Sequence, residues 1–283
     1  MNFKIAFRIL GILLCLTNGS CKKDNQSLPT IFTNPVEMIT PSSAKTGGNV
    51  TSDGSSTITG RGVCWSQNHG PTIDNDHISQ GEGNGSFICS VTGLVSNTKY
   101  YLRAYAVNNT GISYGEEVDF KTDTFRIGLF YEGGNIFYID SSGEHGFISA
   151  LSDYQSNVPW YPNLFLEATA MGDLLGEGKL NTERIVNELG EGEYAAYVCY
   201  SLSLNGYHDW YLPSFRELKL MYEERAIIDG FGNECYWSST QAKNLDGTRL
   251  YWVAAKALNF LNGNSVVSLG KQDLFRVRPI RSF

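Results

Sequence analysis

After its first twenty residues the sequence has no apolar run of 18 residues, and it carries little charge of either sign. Of 283 residues 18% are charged, and 22 Lys+Arg against 29 Asp+Glu give a net charge of −7. Without later apolar runs, no further segment is expected to span a bilayer. Without a basic excess, the chain lacks the cations that non-specific binding to nucleic acid requires.

A complete phosphate loop and the common metal-ligand spacings are also missing. Gly176-Glu177-Gly178-Lys179 lacks the full spacing of a phosphate loop, and Leu180 follows the lysine. No C-x-x-C or H-x-x-x-H spacing occurs. Asp74-Asn75-Asp76 is the nearest approach to an oxygen-ligand cluster, so calcium is unsupported. We therefore expect no enzyme activity, metal or cofactor.

The residues that are abundant indicate folded β-rich domains. Apolar residues make up 42% and aromatic residues 13%, which is enough for real cores, and there are 30 Gly, 16 Tyr and 15 Phe. Glycine with aromatics favours strands and tight turns. At about 100–200 residues per domain, the length indicates two domains.

The N-terminus has the features of a signal peptide. Lys4 and Arg8 precede a short apolar run over residues 9–16, and Gly19-Ser20-Cys21 follows. This ending resembles a bacterial lipobox, although Asn18 departs from it. The resemblance implies a signal peptide over 1–20, lipidation of Cys21, a stalk over 21–29, and an outer-membrane lipoprotein at the cell surface, held by its lipid anchor alone. The alternative is an ordinary secretory signal.

An envelope location makes disulfides permissible. The simplest connectivity for the remaining cysteines pairs neighbours within each domain, as Cys64–Cys89 and Cys199–Cys235. The alternative is that some are free thiols buried as small apolar side chains.

Residues 30–122 are expected to form an all-β, immunoglobulin-like sandwich. Short runs such as Ile58–Ser66, Ser86–Val91 and Tyr100–Val107 alternate with glycine-containing breakers, including Gly47-Gly48. Leu94 lies six residues before Tyr100, as in a tyrosine corner. The pattern resembles the fibronectin type III family, with Ser96 where proline is usual. Tyr101, Arg103 and Tyr105 would form either a binding face or a covered strand face.

Residues 125–283 are expected to form an α+β domain. The pattern predicts a hairpin over Asn135–Asp140 and His145–Ala150. Helices are expected from Thr182, over Glu193–Leu202, and after the capping box Ser214-x-x-Glu217. Further strands are expected over Tyr236–Ser239, Leu250–Ala254 and Phe275–Ile280.

Several blocks in this region resemble one family. They include Gly133-Gly134, Gly206-Tyr207-x-Asp209-Trp210-Tyr211-Leu212-Pro213-Ser214, Tyr236-Trp237-Ser238-Ser239 and Val277-Arg278-Pro279-Ile280-Arg281. Together they resemble the family named after the C-terminal region of the Lcl collagen-like adhesin. The resemblance implies a C-type-lectin-like fold, adhesion and carbohydrate binding. Polyanionic ligands are disfavoured because this chain has no basic cluster beyond Arg276, Arg278 and Arg281.

The candidate ligand-binding residues are mostly aromatic, because flat rings stack on sugars. Each has an alternative reading as part of the core or of a structural ion pair. They are Trp160 and Tyr161 in an irregular loop, Asp209, Trp210 and Tyr211 before a helix, Trp237 and Trp252 on strands, and Arg278 near the end of the chain.

These features predict a surface lipoprotein whose second domain binds a glycan, an envelope protein or a host protein. One alternative is a structural or assembly subunit of a surface complex or filament. Another is an unrecognised enzyme on the fold of formylglycine-generating enzymes, although Cys199 has no basic neighbour to activate it. Removing residues 1–20 takes away Lys4 and Arg8 and no acid, which leaves 20 basic and 29 acidic residues and a net charge of −9. That charge favours neutral glycans or a protein surface.

Overall fold

The computed structural model describes residues 25–161, 170–242, 254–268, 270 and 272–283. Within these ranges the chain forms two compact units. The first comprises the chain up to Glu37, Lys45–Val91 and Tyr100–Phe120, and the second comprises Met38–Ala44, Thr92–Lys99 and Lys121–Phe283. None of the helices in the described ranges has the length and apolar character that crossing a bilayer requires.

The first unit is built on eight strands in the described chain. They are β1 (Thr30–Thr33), β2 (Ser43–Ser52), β3 (Gly60–Ser66), β4 (Asp76–Ser79), β5 (Gly85–Thr92), β6 (Lys99–Asn108), β7 (Gly111–Tyr114) and β8 (Val118–Lys121). One sheet has the order β1-β2-β5, and the other has the order β4-β3-β6-β7, with β8 also paired to β6. Phe87 and Val91 on β5, and Leu102 and Ala104 on β6, are buried on alternate positions. The expected β-sandwich is therefore confirmed.

Strand β2 contains the Gly47-Gly48 pair that the sequence pattern predicts to be a breaker. The glycines lie inside the strand because their neighbours come too close for a side chain. A Cβ added to Gly47 would lie 1.9 Å from the carbonyl oxygen of Phe87, and one added to Gly48 would lie 2.7 Å from the Cβ of Ala104. Here glycine permits close approach of a second backbone.

Strand β6 orders the aromatic residues of the first unit. Tyr100 is buried and stacks on Phe120 at 5.8 Å, and Leu94 is also buried, as expected for the apolar part of a tyrosine corner. On the other face, the Arg103 guanidinium lies 4.8 Å from the Tyr114 ring and Tyr105 is buried. That face is largely covered by neighbouring side chains, so the binding-face reading gains no support.

The second unit mixes helices and strands. Its described strands are β9 (Phe130–Tyr131), β10 (Gly134–Ile139), β11 (Gly146–Ser149), β12 (Gln155–Pro159), β13 (Cys235–Gln241), β14 (Ala255–Asn259), β15 (Ser265–Ser268), β16 (Leu274–Val277) and β17 (Ile280–Ser282). Its helices are α1 (Glu177–Leu189), α2 (Ala195–Tyr200), α3 (Phe215–Glu223) and α4 (Arg225–Ile228). One sheet has the order β17-β11-β10-β9, and the other has the order β12-β16-β13-β14-β15.

One buried carboxylate organises the beginnings of two helices. The predicted capping box is confirmed, because Ser214 Oγ accepts the Glu217 N–H at 3.3 Å and the Glu217 carboxylate accepts the Ser214 N–H at 2.7 Å. Glu217 also accepts the N–H of Gly176 at 2.7 Å. Gly176 is left-handed, at φ 83, and α1 begins directly after it. The helix predicted from Thr182 therefore begins five residues earlier, at Glu177. This beginning depends on the hydrogen bond from Gly176 to Glu217, a residue far along the chain.

The predicted disulfides are wrong, because all four cysteines in the described chain are free thiols. Cys64 lies opposite Arg103 in the β3–β6 register, on the face turned away from the sandwich interior, whereas Cys89 alternates with buried Phe87 and Val91 and faces inward. Burial raises the pKa of both thiols to about 11, with nearby arginines opposing it.

The two cysteines of the other predicted pair, Cys199 and Cys235, also lie in different environments. Cys199 on α2 is fully buried in an apolar cluster, while Cys235 is partly exposed at the first position of β13. Burial raises the pKa of the Cys199 thiol well above its ordinary value. Cys199 is therefore a small apolar core residue, which is the alternative reading.

Candidate functional site

A cleft of about 340 Å³ lies in the second unit, between the helices α1 and α2 and the segment before α3. Its lining residues are Lys179, Thr182, Glu183, Tyr200, His208, Asp209, Trp210 and Tyr211. Three separate stretches of chain thus contribute a cation, two carboxylates, an imidazole and an aromatic face. The volume falls in the lower part of the usual range for small-ligand pockets, about 300–1,000 Å³.

Helix α1 supplies one wall. Lys179 and Glu183 are four residues apart and so project from the same helical face. Between them Thr182 is fully buried, where its hydroxyl donates to the carbonyl of Gly178 at 2.8 Å and accepts the N–H of Leu212 at 3.0 Å. This side chain fixes the helix against the opposite wall.

The opposite wall is an extended segment held at both ends. Asn205 and Gly206 form a turn closed by backbone hydrogen bonds between Leu204 and Tyr207. Further along, Tyr211 exchanges two backbone hydrogen bonds with Ile280, at 2.8 and 3.0 Å. His208 and Asp209 lie between these fixed points, so the backbone that carries them is well supported.

Asp209 is the cleft carboxylate with a defined partner. Its two oxygens accept hydrogen bonds from Arg281, Nε to Oδ1 at 2.8 Å and Nη2 to Oδ2 at 3.1 Å. Partial burial works to raise the pKa of Asp209, but the hydrogen bonds and charge of Arg281, assisted by Lys179, outweigh it and lower the pKa below its ordinary value. Asp209 is therefore an ionised acceptor in the cleft wall.

The other polar groups of the cleft are available to a ligand. Within the described residues, the side chains of Lys179, Glu183, Tyr200 and His208 make no hydrogen bond or ion pair. Tyr200, the last residue of α2, is 47% exposed. The cleft thus holds both donors and acceptors whose capacity is unused, beside an exposed aromatic ring.

Most of the predicted aromatic contacts lie in the core. Trp160 and Tyr161, the candidates from an irregular loop, are 1% and 7% exposed. Trp160 Nε1 donates to the carbonyl of Ser238 at 2.8 Å, and Trp237 Nε1 donates to that of Val158 at 2.8 Å. Their indole rings contribute large apolar area to one cluster, so both are core residues, which is the alternative interpretation.

The remaining predicted residues divide between the cleft margin, the core and undescribed positions. Trp210 and Tyr211 line the cleft but are almost fully buried. Arg278 is buried in an ion pair with Asp153 at 2.7 Å, which is the structural alternative. Cys21 and Trp252 lie outside the described residues, as does most of the predicted strand Leu250–Ala254.

The described residues contain no group of three or more His, Cys, Asp or Glu side chains that could hold a metal ion. The expectation of no metal or cofactor remains a prediction.

Sequence reasoning missed four polar residues of the cleft, which are Lys179, Glu183, Tyr200 and His208. The i, i+4 spacing of Lys179 and Glu183 was a usable signal, because it places opposite charges on one helix face. Nothing local indicated that Tyr200 and His208 would meet them.

Comparison with known proteins finds no matching family model and no matching curated protein. Several solved structures are similar to part of the chain. A structure described as a myokine shares 21% identity, covering 35% of this chain and 98% of that chain, with a TM-score of 0.27. The sensor domain of an anti-sigma factor from Pseudobacteroides cellulosolvens shares 21%, covering 34% and 76%, with a TM-score of 0.26. A fibronectin type III domain of human collagen XX shares 19%, covering 34% and 94%, with a TM-score of 0.27. Fibronectin type III domains are the fold expected for the first unit.

Proposed function

We propose that this chain is a non-enzymatic binding protein whose second unit recognises a neutral glycan, or a polar patch on a protein, through the cleft. The observation that supports this is the set of four cleft side chains, Lys179, Glu183, Tyr200 and His208, that have no polar partner in the described chain. Polar groups left open in a concave site are the usual basis of orientation and specificity.

The mixture of groups favours a neutral, hydroxyl-rich ligand. Sugar hydroxyls both donate and accept, so they match a wall that offers the Lys179 ammonium, the Glu183 and Asp209 carboxylates and an imidazole. The Tyr200 ring adds a flat face for stacking. Lys179 and Arg281 balance the two carboxylates, which gives the site little attraction for a polyanion.

Binding is tested on an array of neutral and anionic glycans with the purified chain and three variants. Tyr200→Ala and Asp209→Asn are expected to weaken binding to the best neutral glycan about tenfold or more, because each removes a stacking face or a charged acceptor. Tyr154→Ala is the matched control, since Tyr154 is 51% exposed and lies outside the cleft lining.

Silence across the whole array, with capture of one envelope protein instead, would overturn the glycan proposal and support the structural or assembly alternative. Equal loss in Tyr154→Ala and Tyr200→Ala would show that the cleft is not the site. The enzyme alternative is weakened by the burial of Cys199, which keeps its thiol protonated.

We also propose that the protein is an outer-membrane lipoprotein exposed at the cell surface and anchored through Cys21. The support is the resemblance of residues 1–21 to a lipoprotein signal, and the Lcl-like blocks support a C-type-lectin-like adhesion domain. The intact mass of the protein purified from membranes is expected to show cleavage before Cys21 and added acyl chains. A mass that matches an unmodified chain would contradict this.

A further inference from the structure

Two tight turns meet beside the cleft. Glu132 and Gly133 have φ of 43 and 94, and Asn205 and Gly206 have φ of 53 and 84. Consecutive positive φ values are typical of type I′ turns, where Asn-Gly is strongly favoured. The Asn205 amide donates to the carbonyl of Gly133 at 2.8 Å, so the turns are tied together. Glu132 is the unusual residue, because a side chain with a Cβ is disfavoured at this φ.

Contacts with Arg281 account for the presence of a glutamate, rather than a glycine, at position 132. Its Nη1 donates to the Glu132 carboxylate at 2.9 Å and to the Glu132 carbonyl at 3.1 Å. Its remaining nitrogens hold Asp209, and its guanidinium lies 4.0 Å from the Tyr207 ring centroid. The Arg281 side chain is only 8% exposed. The guanidinium group of this arginine, called its fork below, is therefore held by hydrogen bonds at all three nitrogens and by contact with one ring.

We propose that Glu132 and Arg281 are positioning residues of the cleft: Glu132 fixes the fork of Arg281, and Arg281 aims Asp209 at a pair of neighbouring hydroxyl groups on a neutral sugar. The inference rests on the proposed function of the cleft. An ionised carboxylate has about four acceptor positions, of which Arg281 uses two. The Asp209 side chain is 41% exposed, so the other positions face solvent and ligand.

This arrangement makes the site an acceptor of paired donors. Asp209 cannot donate while it is ionised, so a ligand carboxylate, sulfate or phosphate placed there would meet like charge. Two adjacent hydroxyl groups would each donate to it. A disfavoured backbone conformation retained for one charged side chain is the pattern found where function constrains a turn.

The decisive variant is Glu132→Gly, because glycine suits the turn better than glutamate but removes the carboxylate. Thermal stability is expected to stay equal or to rise, while affinity for the best neutral glycan on the array falls about tenfold, the loss of roughly one charge-assisted hydrogen bond. The matched control is Ser55→Gly in the first unit, where Ser55 is exposed at φ 61. This substitution also places glycine at a position with positive φ, so it removes the same kind of backbone strain, and it is expected to leave affinity unchanged.

A second measurement needs no ligand. The Nε–H proton of Arg281, followed by NMR, is expected to exchange slowly with water in the wild type and about tenfold faster in Glu132→Gly, since the guanidinium then loses the carboxylate that holds Nη1. If affinity and exchange are both unchanged, the positioning role is overturned. If no glycan binds the wild type, the proposed function fails, and the exchange rate alone decides whether Glu132 positions Arg281.

Discussion

Glu217→Ala is expected to destabilise the second unit by about 3–5 kcal/mol, because it removes a fully buried carboxyl acceptor from two backbone donors, each of which costs about 1–3 kcal/mol when buried without a partner. The N–H groups of Gly176 and Ser214 would then be buried without partners, at the beginnings of α1 and α3. Urea unfolding followed by tryptophan fluorescence measures the loss. Among the described residues, Trp160, Trp210 and Trp237 belong to the second unit and Trp65 to the first, so the fluorescence reports mainly on the second unit.

The matched control is Glu223→Ala, at the exposed end of the same helix. It is expected to change stability by no more than about 0.5 kcal/mol. Equal unfolding midpoints for the two variants would show that Glu217 does not stabilise the beginnings of α1 and α3.

Glu217 also gives a pH dependence with a defined sign. Burial raises its pKa above the ordinary value, and the hydrogen bonds from Ser214 and Gly176 oppose this only in part. An acid with a raised pKa in the folded state binds its proton more tightly there than in the unfolded chain, whose pKa is about 4.3. Its contribution to stability is therefore complete below that pH and falls as pH rises through the folded pKa. Glu217→Gln, which keeps an acceptor oxygen, is expected to remove this slope.

Arg278→Ala is expected to cost about 3–5 kcal/mol, because it leaves Asp153 short of its buried partner and two carbonyl groups unpaired. Nε donates to Asp153 at 2.9 Å, Nη1 donates to the Ala150 carbonyl at 3.0 Å, and Nη2 donates to that of Gly230. The guanidinium also lies 3.9 Å from the Phe231 ring centroid. Denaturant unfolding is again the measurement.

Arg276 provides a close comparison, because it pairs with the same Asp153 at 2.8 Å. Its side chain is 29% exposed, whereas that of Arg278 is 0% exposed. Solvent screens the more exposed pair, so Arg276→Ala is expected to cost about 1 kcal/mol or less. Similar losses for the two arginines would contradict the view that burial decides their importance.

Local signals in the sequence predicted the elements whose causes are local. The capping box at Ser214 and Glu217 depends on residues three apart, and α3 begins where it predicts. Strand β2 was missed because the reason for its glycines lies at Phe87 and Ala104, far along the chain. The early beginning of α1 was missed for the same reason, since Glu217 is about 40 residues away from Gly176.

The site was harder to predict than the fold. Asp209 was identified from its motif, but its companions Lys179, Glu183 and Tyr200 come from other elements. The tryptophans were misleading because their indole rings suit both a sugar and a core, and the local sequence does not distinguish the two. Trp160 and Trp237 bury their rings and direct each indole N–H to a backbone carbonyl. The apolar ring and the polar N–H are therefore both accommodated in the core.

The pairing of β17 with β11 has a consequence for how the protein is made. Phe147 lies opposite Ser282, about 135 positions later in the chain. Arg281, on that last strand, is the partner of both Glu132 and Asp209. A ribosome releases these segments in order, so β17 must be made before it can pair with β11 and before Arg281 can position Asp209. Contacts this distant in sequence slow folding.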